Sequence, residues 1–175
     1  LAQHDLLLAL PYQSINPFVD LLYEAADDPD VVSIKITLYR LAGSSRIAAA
    51  LAYAAEHGKQ VQCLLELRAR FDEQSNIDYS RMLEDAGCDI LYGLTKYKVH
   101  TKLCLITRRC PGGICYYTQV GTGNYNEKTA EQYTDLMLLT SAPAIGRDAA
   151  KTFDRLARGE TVGETEALWL APEGY

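Results

Sequence analysis

Val31-Val32-Ser33-Ile34-Lys35-Ile36-Thr37-Leu38-Tyr39 is the stretch on which the fold turns. It is β-branched, mostly apolar and of strand length, and it reads as a buried strand. Ser44-Ser45 then cap an Ala-rich helix that Gly58 closes. Val61 to Leu67 is the next strand. A helix over roughly Ser75 to Ala86 stops at Gly87, and Asp89 to Tyr92 is a short third strand. Strand and helix alternate with a unit of roughly 30 residues, the signature of right-handed crossovers feeding a parallel sheet.

Upstream, Asn16-Pro17 open a helix, with Asn16 as cap and Pro17 at the first helical position. Phe18, Leu21, Leu22 and Ala25 recur at helical spacing until Asp27-Asp28-Pro29-Asp30. Downstream the pattern changes. Val99 to Arg109 and Ile114 to Val120 are two strands joined by a turn at Cys110-Pro111-Gly112-Gly113. Tyr133 to Thr140 is a further strand, and Ala149 to Ala157 a closing amphipathic helix. The expected fold class is α/β, a mixed, mostly parallel sheet flanked by helices with a β-hairpin in the second half. One domain spans residues 1–175.

At 175 residues, 48% hydrophobic and 23% charged, the chain buries a core without a metal or disulfides and is not disordered. No apolar stretch approaches the ~20 residues that span a bilayer. The net charge of −6 argues against a dedicated nucleic-acid binder. The start at Leu1, with no initiator Met, and the lack of a closing element after Pro172 mark the chain as a piece of a longer protein. Five cysteines with no CxxC spacing signal neither a zinc site nor a disulfide framework. Reduced thiols in a cytoplasmic protein are expected, although a Cys110–Cys115 link across the turn is conceivable.

Of the three histidines, His4 lies near the chain start and His57 at a helix end; both read as surface residues. His100 stands in Lys96-Tyr97-Lys98-Val99-His100-Thr101-Lys102, and from Lys96 to Arg109 there are five Lys or Arg and no acid. On a strand His100 and Lys102 share one face. An imidazole beside an ammonium suits phosphate chemistry: the Lys neutralises phosphoryl oxygens while the ring nitrogen attacks phosphorus. A strand edge decorated with charges gives the same spacing. Gly121-Thr122-Gly123-Asn124 follows, where backbone N–H groups can cradle an anion and Asn124 can bind phosphate. Arg40 and Arg70 sit just past the ends of neighbouring strands, one crossover apart, where open α/β sheets bind ligands. Arg70 could equally pair with Asp72 or Glu73. Asp135, two residues after Tyr133 in an apolar stretch, could orient the His100 imidazole or cap a turn.

HxK followed by G[S/T]xN resembles a half-site of the phospholipase D superfamily, except that Thr107 stands where that superfamily usually carries Asp. Four blocks together are more specific. They are Ile34 to Arg40, Glu66 to Glu73, Lys98 to Leu103 and Gly121 to Ala130, followed by Tyr133-Thr134-Asp135. They resemble, in order and at matching spacing, the polyphosphate kinase family of the first type, in the first of its two phospholipase D-like C-terminal catalytic domains.

The resemblance implies reversible transfer of the ATP γ-phosphoryl group to polyphosphate through a phosphohistidine at His100. It implies Lys102 as phosphate stabiliser and Asp135 as orienter of His100. Arg40 and Arg70 become holders of the phosphates that bind Mg²⁺, since a guanidinium cannot ligate a cation. Tyr133 becomes the nucleotide contact. ATP or ADP, Mg²⁺, polyphosphate and the remaining domains of a homo-oligomeric, cytoplasmic or membrane-associated kinase are the implied partners. The isolated domain is then inactive alone. Two alternatives stand beside it: a phosphodiesterase half-site, and a non-enzymatic module that binds polyanions through the Lys96–Arg109 segment.

Overall fold

Among the described residues seven strands form one sheet in the order β1-β7-β6-β5-β2-β3-β4. The computed structural model describes residues 1, 3–39, 41, 44–66, 73–94 and 96–173. β2 (Val31–Leu38), β3 (Gln60–Leu65) and β4 (Asp89–Tyr92) are parallel, linked by α2 (Arg46–Glu56) and α3 (Glu73–Asp85). β5 (Leu103–Cys110) runs antiparallel to β2 and is joined by the hairpin to β6 (Gly113–Gly121). β7 (Asp135–Thr140) follows beyond β6, and β1 (Leu6–Leu10) closes that edge. The sheet is mixed, as expected, but its pairings are not mostly parallel. Parallel pairing is confined to the crossover half: β5 enters antiparallel to β2, and β6, β7 and β1 each pair antiparallel with their neighbours.

α1 (Asn16–Asp27), α2 and α3 cover one face, where Phe18, Leu22, Ile47, Leu51 and Leu83 pack on Ile34, Ile36, Cys63 and Ile106. α5 (Pro143–Ala157) covers the other, with Ala149 and Phe153 against Leu103 and Leu105. β5 therefore alternates its apolar side chains between two cores, which explains its unbroken Leu103-Cys104-Leu105-Ile106 run.

Several local expectations hold. Ser45 caps α2 by accepting from the Ala48 N–H at 3.2 Å, and Gly58 and Gly87 stop their helices at φ of +81° and +94°. Others need correction. Asn16 is not a cap; Ile15 occupies that position, and Asn16 Oδ1 instead accepts from Arg46 at 2.7 Å. α5 starts at Pro143, six residues earlier than expected, and Gly146 lies where a Cβ would meet Tyr116 at 2.4 Å, so the glycine lets the helix settle on the sheet. β1 was not foreseen, since a bare Leu-Leu-Leu-Ala-Leu run has no period. Cys110 and Cys115 are bridged across the hairpin; Cys63, Cys88 and Cys104 are free and buried.

Candidate active site

One end of the sheet gathers the residues of interest. The carboxyl ends of β2, β3, β4 and β6 and the amino ends of β5 and β7 all lie there. β5 starts at Leu103, not Val99, so His100 and Lys102 precede the strand and the alternation argument does not place them. Thr37, at the end of β2, replaces the missing ladder. Its hydroxyl donates to the Thr101 carbonyl at 2.7 Å and accepts from the Leu103 N–H at 3.1 Å. Glu66, just past β3 and 3% exposed, accepts from the Val99 N–H at 2.9 Å. The backbone is thus fixed on both sides of His100, whose own side chain is exposed.

The Lys102 ammonium does come to His100, but along another route. It is 7% exposed, and its Nζ donates to the His100 carbonyl oxygen. Tyr39 completes the cluster. The His100 ring stands edge-on to it at 5.4 Å, and the Lys98 and Lys102 ammoniums lie 4.9 and 5.3 Å from its centroid. Partial burial of the imidazole, then Lys102, then Lys98, holds His100 below its ordinary pKa. Burial pulls Lys102 down to about 8, opposed by the Asp135 charge and assisted by Lys98.

The Gly121–Asn124 turn continues the site. The Gly121 N–H donates to the Lys102 carbonyl at 3.1 Å. Thr122 donates its hydroxyl to Asp135 Oδ1 at 2.7 Å and accepts from the Leu136 N–H at 3.0 Å. Asp135 therefore holds the turn, and among the described residues no hydrogen bond joins it to His100. A Cβ at Gly123 would meet Asp135 Oδ2 at 2.4 Å, so that close approach demands glycine. Asn124 Oδ1 is buried without a hydrogen-bond partner. Tyr125, 1% exposed, stacks on Phe18 at 5.1 Å and donates to Gln119, tying the turn to the core. Tyr133 precedes β7 and is 62% exposed. Arg40 and Arg70 lie outside the described residues.

Among the described residues His100 lines two cavities. One, of ≈250 Å³, also includes Lys102, Thr122 and Trp169; the other, of ≈80 Å³, includes Lys98 and Leu170. The basic segment is not one patch. Lys98 and Lys102 stay near His100. Arg108 lies at the far end of β5, bound to Asp28 at 2.7 Å and Asp30 at 3.0 Å. Among the described residues no three His, Cys, Asp or Glu gather as metal ligands, and no helix is long and apolar enough to cross a membrane.

Sequence reasoning passed over Thr37 and Glu66. Glu66, an acid ending a strand that reads as buried, carried a usable signal.

The chain is 45% identical to a polyphosphate kinase of Staphylococcus haemolyticus over 97% of its own length and 46% identical to one of Bacillus cereus over the same share. It spans about a quarter of each, 24%. A crystal structure of polyphosphate kinase from Porphyromonas gingivalis superposes with a TM-score of 0.83 at 37% identity, over 94% of this chain and 28% of that one. The phospholipase D family member Nuc from Salmonella typhimurium superposes at 0.68 with 14% identity, over 90% of this chain and 96% of its own, which shows a shared fold. The family model described as polyphosphate kinase C-terminal domain 1 matches residues 1–161. With His100, Lys102 and the Gly121–Asn124 turn collected at one end of a phospholipase D-like sheet, the chain belongs to the polyphosphate kinase family as its C-terminal domain 1.

Proposed function

We propose that this chain is one catalytic domain of a longer, homo-oligomeric kinase that moves the γ-phosphoryl group of ATP reversibly onto polyphosphate. His100 is the nucleophile. Its ring nitrogen attacks the γ-phosphorus, the bond to the β-bridging oxygen breaks, and ADP leaves with that electron pair. A terminal phosphate oxygen of polyphosphate then attacks phosphorus, the P–N bond breaks, and its electron pair returns to the imidazole. Phosphoryl transfer asks mainly for positioning and charge neutralisation.

One observation carries the proposal: an exposed imidazole on a backbone fixed from both sides, with two lysine ammoniums about its Tyr39 neighbour. Lys102 offsets charge on the transferred group, and Asn124 contacts phosphate oxygens. Tyr133 offers an exposed ring to the nucleotide. Asp135 acts through Thr122 and through its charge on Lys102. Arg40 and Arg70 hold the phosphates that carry Mg²⁺, which enters with ATP. The isolated domain binds phosphate but does not turn over, the remaining machinery lying elsewhere in the kinase. The diesterase alternative shares His100 and Lys102, but Thr107 stands where its half-site usually carries Asp. The polyanion-module alternative loses part of its patch to the Arg108 ion pairs.

The test uses the polyphosphate kinase that carries this domain, incubated with γ-³²P-ATP. Acid-labile, alkali-stable label on the protein is expected, and His100→Ala abolishes it. An unlabelled wild type overturns the proposal.

A further inference from the structure

After α5 the chain turns back along that helix. Arg155 binds Glu160 at 2.6 Å, the Lys151 ammonium donates to the Glu164 carbonyl at 2.5 Å, and Arg147 binds Glu166 at 2.8 Å. Arg147, Lys151 and Arg155 are four apart, one stripe of the helix, so these contacts lace the tail antiparallel to it. Each is a surface contact and weak alone. Asp148 is the anchor. It is 4% exposed and its carboxylate accepts the N–H groups of Glu166, Ala167 and Leu168 at 3.0, 2.6 and 2.9 Å. Burial pushes the carboxyl up, but these three donors outweigh it and hold Asp148 below its ordinary pKa.

The lacing delivers apolar side chains to His100. Leu168, Trp169 and Leu170 line the larger cavity with His100, Lys102 and Thr122, and Leu170 and Pro172 line the smaller one. Phosphate chains offer an apolar wall nothing to recognise. What such a wall does beside a reactive phosphoryl group is displace water.

We propose that the 160–170 segment, anchored by Asp148, shields the phosphohistidine at His100 from water, so that the phosphoryl group passes to a phosphate oxygen and not to solvent. This rests on the phosphohistidine reading above. In hydrolysis a water oxygen attacks phosphorus, the P–N bond breaks, a water proton goes to the imidazole and orthophosphate leaves. In transfer the β-phosphate oxygen of ADP, or the terminal oxygen of polyphosphate, takes the place of water. Asp148 and Trp169 are positioning residues that set the ratio of the two.

The experiment compares two rates in the kinase that carries this domain, starting from ³²P-labelled enzyme: orthophosphate release without acceptor, and ATP formation on adding ADP. Trp169 is 80% exposed, so its truncation leaves the core intact. Trp169→Ala and Asp148→Asn are expected to raise the hydrolysis-to-transfer ratio at least about threefold, a change well within what loss of one shielding contact does to a barrier. Trp169→Phe keeps the ratio near wild type. A fall of both rates in parallel, with the ratio unchanged in Trp169→Ala, overturns the inference while leaving phosphohistidine chemistry standing. An unlabelled wild type overturns both.

Discussion

Lys102 shows how one buried cation beside His100 burdens the fold. Its ordinary pKa is 10.5, and burial brings it to about 8. The folded chain therefore gives up the proton before the unfolded chain does. Below pH 8 both states are protonated and the folded state bears the cost; stability rises as pH climbs from 8 to 10.5. Lys102→Met is expected to exceed wild type by about 2 kcal/mol in urea unfolding at pH 7, with the gap closing toward pH 10.5. For His100 the sign favours the proposed nucleophilic role. A lowered pKa keeps the ring neutral further into acid, so the acid limb of label incorporation falls below the ordinary 6.5. Lys98→Met is expected to move that limb upward, read from the pH profile of labelling. The HxK pair was legible in the sequence, but the unequal exposure of its two members was not. Thr37 and Glu66 set it, reaching Thr101 and Val99 from 64 and 33 residues away.

Two elements meet where Glu127 enters the first turn of α2. Its carboxylate accepts from the Ile47 N–H at 3.0 Å and the Ser45 hydroxyl at 3.3 Å, beside the Ser45 cap itself. The cap was readable from Ser44-Ser45; the second acceptor, 80 residues on, was not. α4 (Glu127–Ala130), which carries Glu127, thereby links the Gly121–Asn124 turn to the helix packed beneath β2. Ser45→Ala is expected to cost about 1 kcal/mol in denaturant unfolding, the usual worth of a helix cap. The turn is less forgiving. In Gly123→Ala the new Cβ collides with the Asp135 carboxylate, and loss of His100 labelling is expected with the far-ultraviolet circular dichroism of the domain retained.

Across the whole molecule, the His100 cluster and the covalent closure sit at opposite ends of one sheet. The β5–β6 hairpin with its Cys110–Cys115 bridge and the Arg108 ion pairs lie at the end away from His100. Reducing the bridge with dithiothreitol is expected to leave His100 labelling unchanged. Crossover connections were legible because each is local, a strand and the helix that follows it. The β5–β6 hairpin was legible from its turn, but β1 was not, because it pairs with β7 across almost the entire chain and the sequence holds no local sign of that pairing. Trp169 adds an optical consequence. It is the one tryptophan among 175 residues, and it stands at the mouth of the His100 cavity. Light absorbed at the red edge of the aromatic band excites that indole alone in this chain. Its emission is a built-in reporter that needs no dye, able to follow a phosphate ligand arriving beside His100 in real time.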